Sequence, residues 1–432
     1  MIRRLYNTNK YLPFFVISLS VFLLVVAIGA VVLICLHGSI AGAMKYFSHY
    51  ALSDFGQVMY FTLNENPYVS NFPTMYPPLN FVLMLPFALV CKNAPEFYVL
   101  DNISIDENGM YNYEQLLDYN VGILSTWQFW IAIILFFTVC LTVCGLIIKR
   151  MRTWGKGEFF YFYLGLIFSG FIMFGLFRGT NLFLSLIFIL LFVWLYKSEK
   201  KHLREIALVS LAIGGVLKLY PLLFGVLLLK EKRFIDVIKV AVYSLLLMFL
   251  PFLMYPDSIS TALEFVKNMF SFVGGENRVG DGMNISISSL VSWILNLIKV
   301  PANVTSVVSI LFTIIAFALC VITTLKSKNE FVTSLVTAIG VLIIPPVSYY
   351  YVCAFMLVSL LHFENEWNKF SKPRKIYYTI FFITMSFLPL SASMWYIPQC
   401  IMMAVILVWE FVRVFSAEKL QVFPNEKNME EN

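Results

Sequence analysis

Charge and histidine are scarce in this sequence. Of its 432 residues only 13% are Asp, Glu, Lys or Arg and only 4 are His, whereas 60% are hydrophobic and the mean hydropathy is +0.80. Soluble globular domains carry about 25% charged residues, so this composition excludes a soluble protein. Apolar stretches near the length that crosses a bilayer recur from residue 13 to residue 415, which indicates an integral membrane protein.

Alternation of apolar and polar residues is missing from the hydrophobic runs. Continuous runs of Leu, Ile and Phe fit membrane helices, whose backbone groups are paired internally, and exclude the alternating strands of a transmembrane β-barrel. The first run, 13–36, is too long for a cleaved signal and lacks a small-residue cleavage site, so we interpret it as a retained helix. The predicted fold class is all-α, a polytopic transmembrane helical bundle of about 10 to 14 membrane segments.

Metal-ligand spacing and nucleotide-binding motifs are lacking too. All 7 cysteines lie in or beside apolar segments, and Cys140 and Cys144 have no His or carboxylate on the same stretch, which indicates packing roles. No glycine-rich phosphate loop lies between a strand and a helix. The net charge of +6 comes from short clusters between hydrophobic runs, which lipid orientation explains better than nucleic-acid binding. We therefore predict neither a metal nor a nucleic-acid partner.

Clusters of Lys and Arg follow certain hydrophobic segments, and the positive-inside rule places these clusters in the cytoplasm. Two segments, 79–91 and 206–229, are interrupted by Pro86 and Pro221, so we predict re-entrant or broken helices there, with a paired short crossing as the alternative. The segments that then cross the membrane once are 13–36, 121–148, 159–177, 182–196, 234–255, 303–325, 331–344, 351–363, 376–390 and 399–415.

Five polar stretches fall on the opposite, outer face: the loop that carries Asp54, and residues 177–181, 218–221, 277–290 and 345–351. Stretches that are distant in sequence but share a membrane face can share a cavity. Lys218 and Arg178 are cations in two of these stretches, and a cation at membrane depth is usually kept for an anionic partner, which here suggests a phosphate. Each stretch also has a structural interpretation, as a turn, a snorkelling side chain or a flexible loop.

Asp54 lies in the stretch KYFSHYALSDFGQVMYFTL, whose apolar positions recur at helical spacing. This pattern predicts an amphipathic helix on the outer surface, with the carboxylate at the mouth of the bundle. The alternative is a solvated carboxylate without a special role. The spacing alone does not decide between the two.

Several motifs occur in order along the chain. They are Asp54, Asn66-Pro67-Tyr68, Tyr76-Pro77-Pro78-Leu79 with Pro86, Lys218-Leu219-Tyr220-Pro221, Asn284-Ile285-Ser286 and Pro345-Pro346-Val347-Ser348. The ordered set resembles the GT-C superfamily of integral-membrane glycosyltransferases, most closely the polyprenyl-phosphate-mannose-dependent mannosyltransferase-like group. Two features depart from that group: its Gly-Gln-x-Asn element reads Arg178-Gly179-Thr180-Asn181, and the acidic stretch 92–120 looks like an insertion.

The resemblance implies one transmembrane glycosyltransferase domain with the GT-C fold over residues 1–415. Its outer parts would be the loop 37–78, which carries the base, the acidic insertion 92–120 and the loop 256–302. Residues 416–432 would form a polar cytoplasmic tail.

The resemblance also implies a reaction: a mannose-like hexose passes, with inversion, from a polyprenyl-phosphate sugar to a glycan or glycolipid acceptor. Asp54 is the expected general base, and Lys218, Arg178 and Tyr220 are expected to bind the donor phosphate with neither metal nor other cofactor. The expected substrate-binding residues are Asn181, Tyr68, Tyr76, Asn284, Ser286, Ser348 and Tyr349. The expected location is the bacterial plasma membrane, with the site on its non-cytoplasmic side and membrane lipids around the protein.

Two other functions fit the same polar face. A secondary transporter or a lipid or glycan flippase also uses broken helices, but many transporters show an internal repeat. Here the interrupted segments 79–91 and 206–229 do not occupy matching positions in two halves of the chain. A membrane glycan polymerase or ligase is the further alternative, and we expect it to rely on other motifs.

The topology gives the first testable prediction. A reporter fused within residues 277–290 is expected to report the non-cytoplasmic side, because the flanking positive clusters hold the neighbouring loops in the cytoplasm. The same reporter fused within 197–204 should report the cytoplasm. A cytoplasmic signal from the 277–290 fusion would contradict the shared outer face.

Overall fold

The protein is described by a computed structural model that covers residues 11–37, 39, 51–104, 112–274, 284–386 and 396–422. Within these ranges the chain is mostly helical, and the β pairing consists of an isolated antiparallel bridge between Asn284 and Tyr349. The all-α fold class is therefore confirmed for the described residues.

The α-helices are numbered along the chain. Their bounds are α1 Leu12–His37, α2 Ser53–Leu63, α3 Leu79–Cys91, α4 Tyr113–Leu124, α5 Trp127–Met151, α6 Glu158–Ile167, α7 Gly170–Arg178, α8 Leu182–Leu195, α9 Lys201–Lys218, α10 Val226–Lys230, α11 Phe234–Phe249, α12 Ser258–Gly274, α13 Ile287–Leu297, α14 Ala302–Lys326, α15 Glu330–Ile343, α16 Met356–Glu366, α17 Lys372–Ser386 and α18 Tyr396–Val422. Short 3-10 helices lie at Pro95–Asn102, Tyr220–Gly225, Leu250–Met254, Tyr350–Phe355 and Trp367–Lys369.

Five helical spans in the described ranges are long and apolar enough to cross a membrane, judged by length and composition. They are Leu12–Val32, Trp127–Met151, Phe234–Met254, Ala302–Lys326 and Ile397–Ser416. The predicted crossing at 159–177 is instead the pair α6 and α7, bent by 53° at a short break, which brings the count to six if the pair is one span. The predicted total of 10 to 14 segments also relies on shorter apolar helices such as α8 and α15, and it stays a prediction.

The described residues form two units, each defined by its internal contacts. The first is drawn from residues 11–222, 238–274 and 383–386, and the second from 223–237, 284–382 and 396–422. The single domain over 1–415 stays a prediction. Helix α18 runs on to Val422, into the predicted polar tail, and residues 423–432 lie outside the described ranges.

Helix α2 differs from the amphipathic surface helix that the sequence suggested. Most of its residues are buried within the first unit, because apolar side chains project from more than one side of the helix. The ring of Phe55 lies 5.7 Å from that of Phe129 and 5.3 Å from that of Phe136. The helix that carries Asp54 is therefore a packed element and not a peripheral one.

The predicted break near Pro221 is present. Helix α9 ends at Lys218, and Leu219 adopts a positive φ of 55° before the 3-10 helix begins at Tyr220. The reversal needs a glycine one turn earlier, since a Cβ at Gly215 would lie 2.3 Å from the Leu222 side chain. Lys218 is consequently the last residue of a helix, at the point where the chain turns back.

Small and polar side chains join the helices of the second unit. The Ser292 and Ser309 hydroxyls lie 2.9 Å apart between α13 and α14, and those of Thr324 and Thr337 lie 3.2 Å apart between α14 and α15. Such contacts between helices stabilise packing where no hydrophobic driving force acts between them. Residues 331–343 of α15 are buried throughout, so this helix forms the centre of the unit.

The tightest glycine contact in the second unit gives the second prediction. A Cβ at Gly340 would lie 2.5 Å from Cys320 Sγ and 2.7 Å from Leu223 Cδ2, so Gly340→Ala overpacks the unit and should lower its stability by about 1 to 3 kcal/mol. The measurement is the midpoint of thermal unfolding in detergent. Gly29→Ala is the matched control, because a Cβ at Gly29 meets nothing within 4 Å and its midpoint should not fall. Equal midpoints for the two variants would contradict the close approach.

Candidate active site

Asp54 and Arg178 form an ion pair in the first unit. Arg178 Nη2 donates to Asp54 Oδ1 at 2.5 Å, and the two side chains are only 24% and 11% exposed. Asp54 lies in the first turn of α2 and Arg178 in the last turn of α7, which are the helix ends that favour an acidic and a basic residue respectively. The two predicted site residues are thus in direct contact.

Gly179 allows this contact to form. Its φ of 70° places it in the left-handed region, and a Cβ there would lie 2.8 Å from Phe55 Cβ and 3.0 Å from Leu52 Cα. In the same place the Leu52 amide donates to the Phe177 carbonyl at 2.6 Å. The end of α7 and the start of α2 therefore approach at backbone distance, a role for Gly179 that its sequence context did not reveal.

Lys218 lies close to Tyr76. Its Nζ is 4.7 Å from the centroid of the Tyr76 ring, within the range of a cation–π interaction. The charge of Asp54 acts on both Lys218 and Tyr220, and Tyr220 also interacts with Tyr76. Lys218 and Tyr76, from two predicted motifs, are therefore neighbours, and Lys218 and Tyr220 lie within electrostatic range of Asp54.

A buried amide connects the same motifs through hydrogen bonds. Asn181 Nδ2 donates to Asn80 Oδ1 at 2.7 Å, and Asn80 Nδ2 lies 3.3 Å from the carbonyl oxygens of both Pro77 and Leu217. Asn80 therefore links the turn after Arg178, the loop after Tyr76 and the residue before Lys218. It was not among the predicted site residues, and the one signal in the sequence was an amide directly after the Tyr-Pro-Pro-Leu motif.

Tyr68 is placed differently from the other predicted tyrosines. It is buried, its hydroxyl donates to the Tyr76 carbonyl at 2.9 Å, and its ring contacts those of Phe252 and Phe265. Burial raises the pKa of the Tyr68 phenol, with a smaller contribution from Tyr255, so the hydroxyl stays protonated and acts as a donor. In the structure Tyr68 fixes the shape of the loop that presents Tyr76, and its contact with substrate stays a prediction.

The four predicted site residues of the second unit are held in one hydrogen-bonded cluster. Asn284 Oδ1 accepts from the amides of Ser286 and Ser348 at 3.1 and 2.9 Å, and Asn284 Nδ2 donates to the Pro346 carbonyl at 2.7 Å. Ser286 also caps α13 by accepting from the Ser289 amide, and the Asn284–Tyr349 bridge closes the cluster. The buried Ser348 Oγ has no hydrogen-bond partner within the described ranges. The motif Asn284-Ile285-Ser286 is therefore in direct contact with the motif Pro345-Pro346-Val347-Ser348.

The described part of the chain contains no group of three or more His, Cys, Asp or Glu side chains placed to hold a metal ion. The chemistry that the first unit can support is that of a carboxylate in contact with a guanidinium and within electrostatic range of an ammonium. A carboxylate can accept a proton, and the two cations can stabilise a developing negative charge.

The fold and the site define a polytopic all-α membrane protein in which a buried carboxylate lies among cationic and aromatic side chains. By sequence the chain belongs to glycosyltransferase family 87, whose family model matches residues 72–346, more than half of the chain. It is therefore a membrane glycosyltransferase, in agreement with the resemblance to the GT-C superfamily. No curated protein was found to match the chain.

The matched range includes some site residues and leaves out others. Arg178, Lys218 and Asn284 lie within residues 72–346, whereas Asp54 and Ser348 lie outside them. Asp54 is tied to the matched region by its ion pair with Arg178. The structure, and not the family match, therefore places the carboxylate beside the Arg178 guanidinium.

The ion pair gives the third prediction. Arg178→Gln leaves the Asp54 carboxylate largely buried without its partner and should lower stability by about 1 to 3 kcal/mol. Asp54→Asn combined with Arg178→Gln should cost less than the sum of the single changes, since the double variant buries neither charge. Thermal unfolding of the four proteins in detergent measures this coupling. Strictly additive losses would show that the pair contributes nothing to stability.

Proposed function

We propose that the protein transfers a mannose-like hexose from a polyprenyl-phosphate sugar to a hydroxyl of a glycan or glycolipid acceptor, with inversion at the anomeric carbon. Family 87 membership supports sugar transfer, and the donor, the acceptor and the stereochemistry are the proposed part. The observation that carries the proposal is the Asp54–Arg178 pair, whose carboxylate also interacts with Lys218.

In the proposed reaction Asp54 is the general base. Its carboxylate takes the proton of the acceptor hydroxyl as the acceptor oxygen attacks the anomeric carbon. The bond between that carbon and the phosphate oxygen breaks on the opposite face of the sugar, and the polyprenyl phosphate leaves with the electron pair. A single displacement of this kind needs one base, unlike a hydrolysis that uses two carboxylates.

Arg178 and Lys218 are proposed to stabilise the leaving phosphate. A guanidinium carries five N–H donors in a planar fork, a geometry that lets one Arg contact a carboxylate and a phosphate together. Lys218 would act as a point charge at the end of α9, beside Tyr76 and Tyr220. The leaving group then needs neither a metal nor another cofactor.

The remaining predicted residues complete the proposal. Asn181 and Tyr76 would contact the sugar from the first unit. Asn284, Ser286, Ser348 and Tyr349 would form a second recognition surface. We place the site on the non-cytoplasmic side of a bacterial plasma membrane, with the lipid-linked donor, the acceptor and membrane lipids as partners. Family membership favours glycosyl transfer over a transporter or a flippase.

The fourth prediction concerns the base. Asp54→Asn should fold and bind polyprenyl-phosphate mannose but lose transfer by about 100-fold or more, because the acceptor proton has no base to accept it. The measurement is the transfer of labelled mannose from polyprenyl-phosphate mannose to a membrane lipid extract by the purified protein.

Glu65→Gln is the matched control. It removes the same charge from an exposed residue of the same outer segment, and it should transfer sugar at the wild-type rate. Full transfer by Asp54→Asn would overturn the assignment of the base. No transfer by the wild-type protein from this donor, with transfer from another lipid-linked sugar, would overturn the mannose assignment.

A further inference from the structure

The described elements of the acidic stretch 92–120, which looks like an insertion relative to the related group, pack directly against the helix that carries Asp54. The 3-10 helix Pro95–Asn102 and helix α4 are the described elements of this region, and residues 105–111 lie outside the described ranges. The two elements are joined across that gap, because the Asn112 amide donates to the Ser104 carbonyl at 2.9 Å and the Ser104 amide donates to Gln115 Oε1 at 2.7 Å.

Two hydroxyl groups connect these elements to α2. Tyr119 Oη donates to the Gly56 carbonyl at 2.8 Å in a buried contact, and Tyr60 Oη donates to Asp101 Oδ1 at 2.8 Å. Asn64, the residue directly after α2, has its Nδ2 3.2 Å from the same Asp101 oxygen. Burial raises the pKa of the Tyr60 phenol, and the Asp101 charge adds to this effect, so the phenol remains the donor.

Close packing accompanies these hydrogen bonds. A Cβ at Gly56 would lie 2.2 Å from Ile123 Cδ1, so α2 and α4 touch at Gly56, and a larger residue there would have to displace the fully buried Ile123 side chain. Gly56 is two residues from Asp54. At 3.6 residues per turn, Gly56 and Tyr60 lie roughly 200° and 240° around the helix from Asp54, on the side away from the carboxylate. Arg178 therefore holds α2 from one side, and the acidic segment holds it from the other.

We propose that the 3-10 helix Pro95–Asn102 and helix α4 form a brace that sets the position of the base: Gly56, Tyr119 and Ile123 are positioning residues that act through α2 on Asp54. This inference rests on the proposed function for its catalytic consequence. The acidic residues of the segment need not contact substrate, since Asp101 bonds the helix itself. A displacement of the base by about 1 Å is enough to slow a reaction by a factor on the order of 100.

The fifth prediction tests the brace with a compensating pair. Gly56→Ala should lower kcat by about 10-fold to 100-fold, with little change in the KM for polyprenyl-phosphate mannose, because the new methyl group pushes α2 away from α4. Ile123→Val removes the Cδ1 atom that the methyl group would meet, so Gly56→Ala with Ile123→Val should recover most of the rate. Alanine is the better helix former, so a loss in Gly56→Ala does not come from helix propensity.

Asp118→Asn is the matched control, because it removes an exposed charge from α4 without touching α2, and it should keep the wild-type kcat. A kcat for Gly56→Ala equal to that of the wild type would overturn the brace. A loss of kcat in Gly56→Ala that Ile123→Val does not restore would also overturn the brace, if both variants keep the wild-type thermal midpoint.

A labelling experiment separates the brace from the proposed function. In a background of Asp54→Cys with Cys35→Ser, residue 54 carries the least buried thiol, because the Asp54 side chain is 11% exposed and the other six cysteines are buried. Gly56→Ala should increase the rate at which a water-soluble maleimide labels this thiol several-fold, and Ile123→Val should reverse the increase. Unchanged labelling would overturn the brace even if sugar transfer is confirmed. Altered labelling with no sugar transfer would keep the brace and overturn the proposed function.

Discussion

The ion pair between Asp54 and Arg178 is the interaction on which the first unit depends. Burying either the Asp54 carboxylate or the Arg178 guanidinium alone would cost free energy, because each charge would lose its hydration without gaining a partner. In the pair, each charge compensates for the lost hydration of the other. Their contact requires that the end of α7 and the start of α2 lie at backbone distance, which Gly179 permits. The position of α2 follows from this junction, and the surroundings of the carboxylate follow from the position of α2.

The amide of Asn80 extends this constraint to the cation at the end of α9. One side chain contacts the turn after Arg178, the proline-rich loop and the carbonyl of Leu217. Because each of these bonds is buried, moving one of the three segments would leave a polar group without a partner. The break at the end of α9 is therefore held by the same set of contacts as the ion pair, although Lys218 lies 40 positions after Arg178 in the sequence.

Local patterns in the sequence were enough for the fold class, the break at Lys218 and the turn at Arg178, since composition, proline and glycine act over a few residues. They were not enough for the contacts made by these elements. Asp54 and Arg178 are 124 residues apart, and nothing in either stretch specifies the other as a partner. Asn80 was missed because the sequence does not distinguish an asparagine with a buried, hydrogen-bonded amide from one in an exposed loop. Helix α2 looked peripheral because its covering elements come from distant parts of the chain.

The distance in sequence between the paired charges has a consequence for biosynthesis. Asp54 leaves the ribosome well before Arg178, because 123 residues must be made between them. The Asp54 carboxylate on α2 therefore has no Arg178 guanidinium to pair with until α7 has been synthesised. The ion pair is therefore a late event of assembly, and it forms only after helices α2 to α7 have been synthesised.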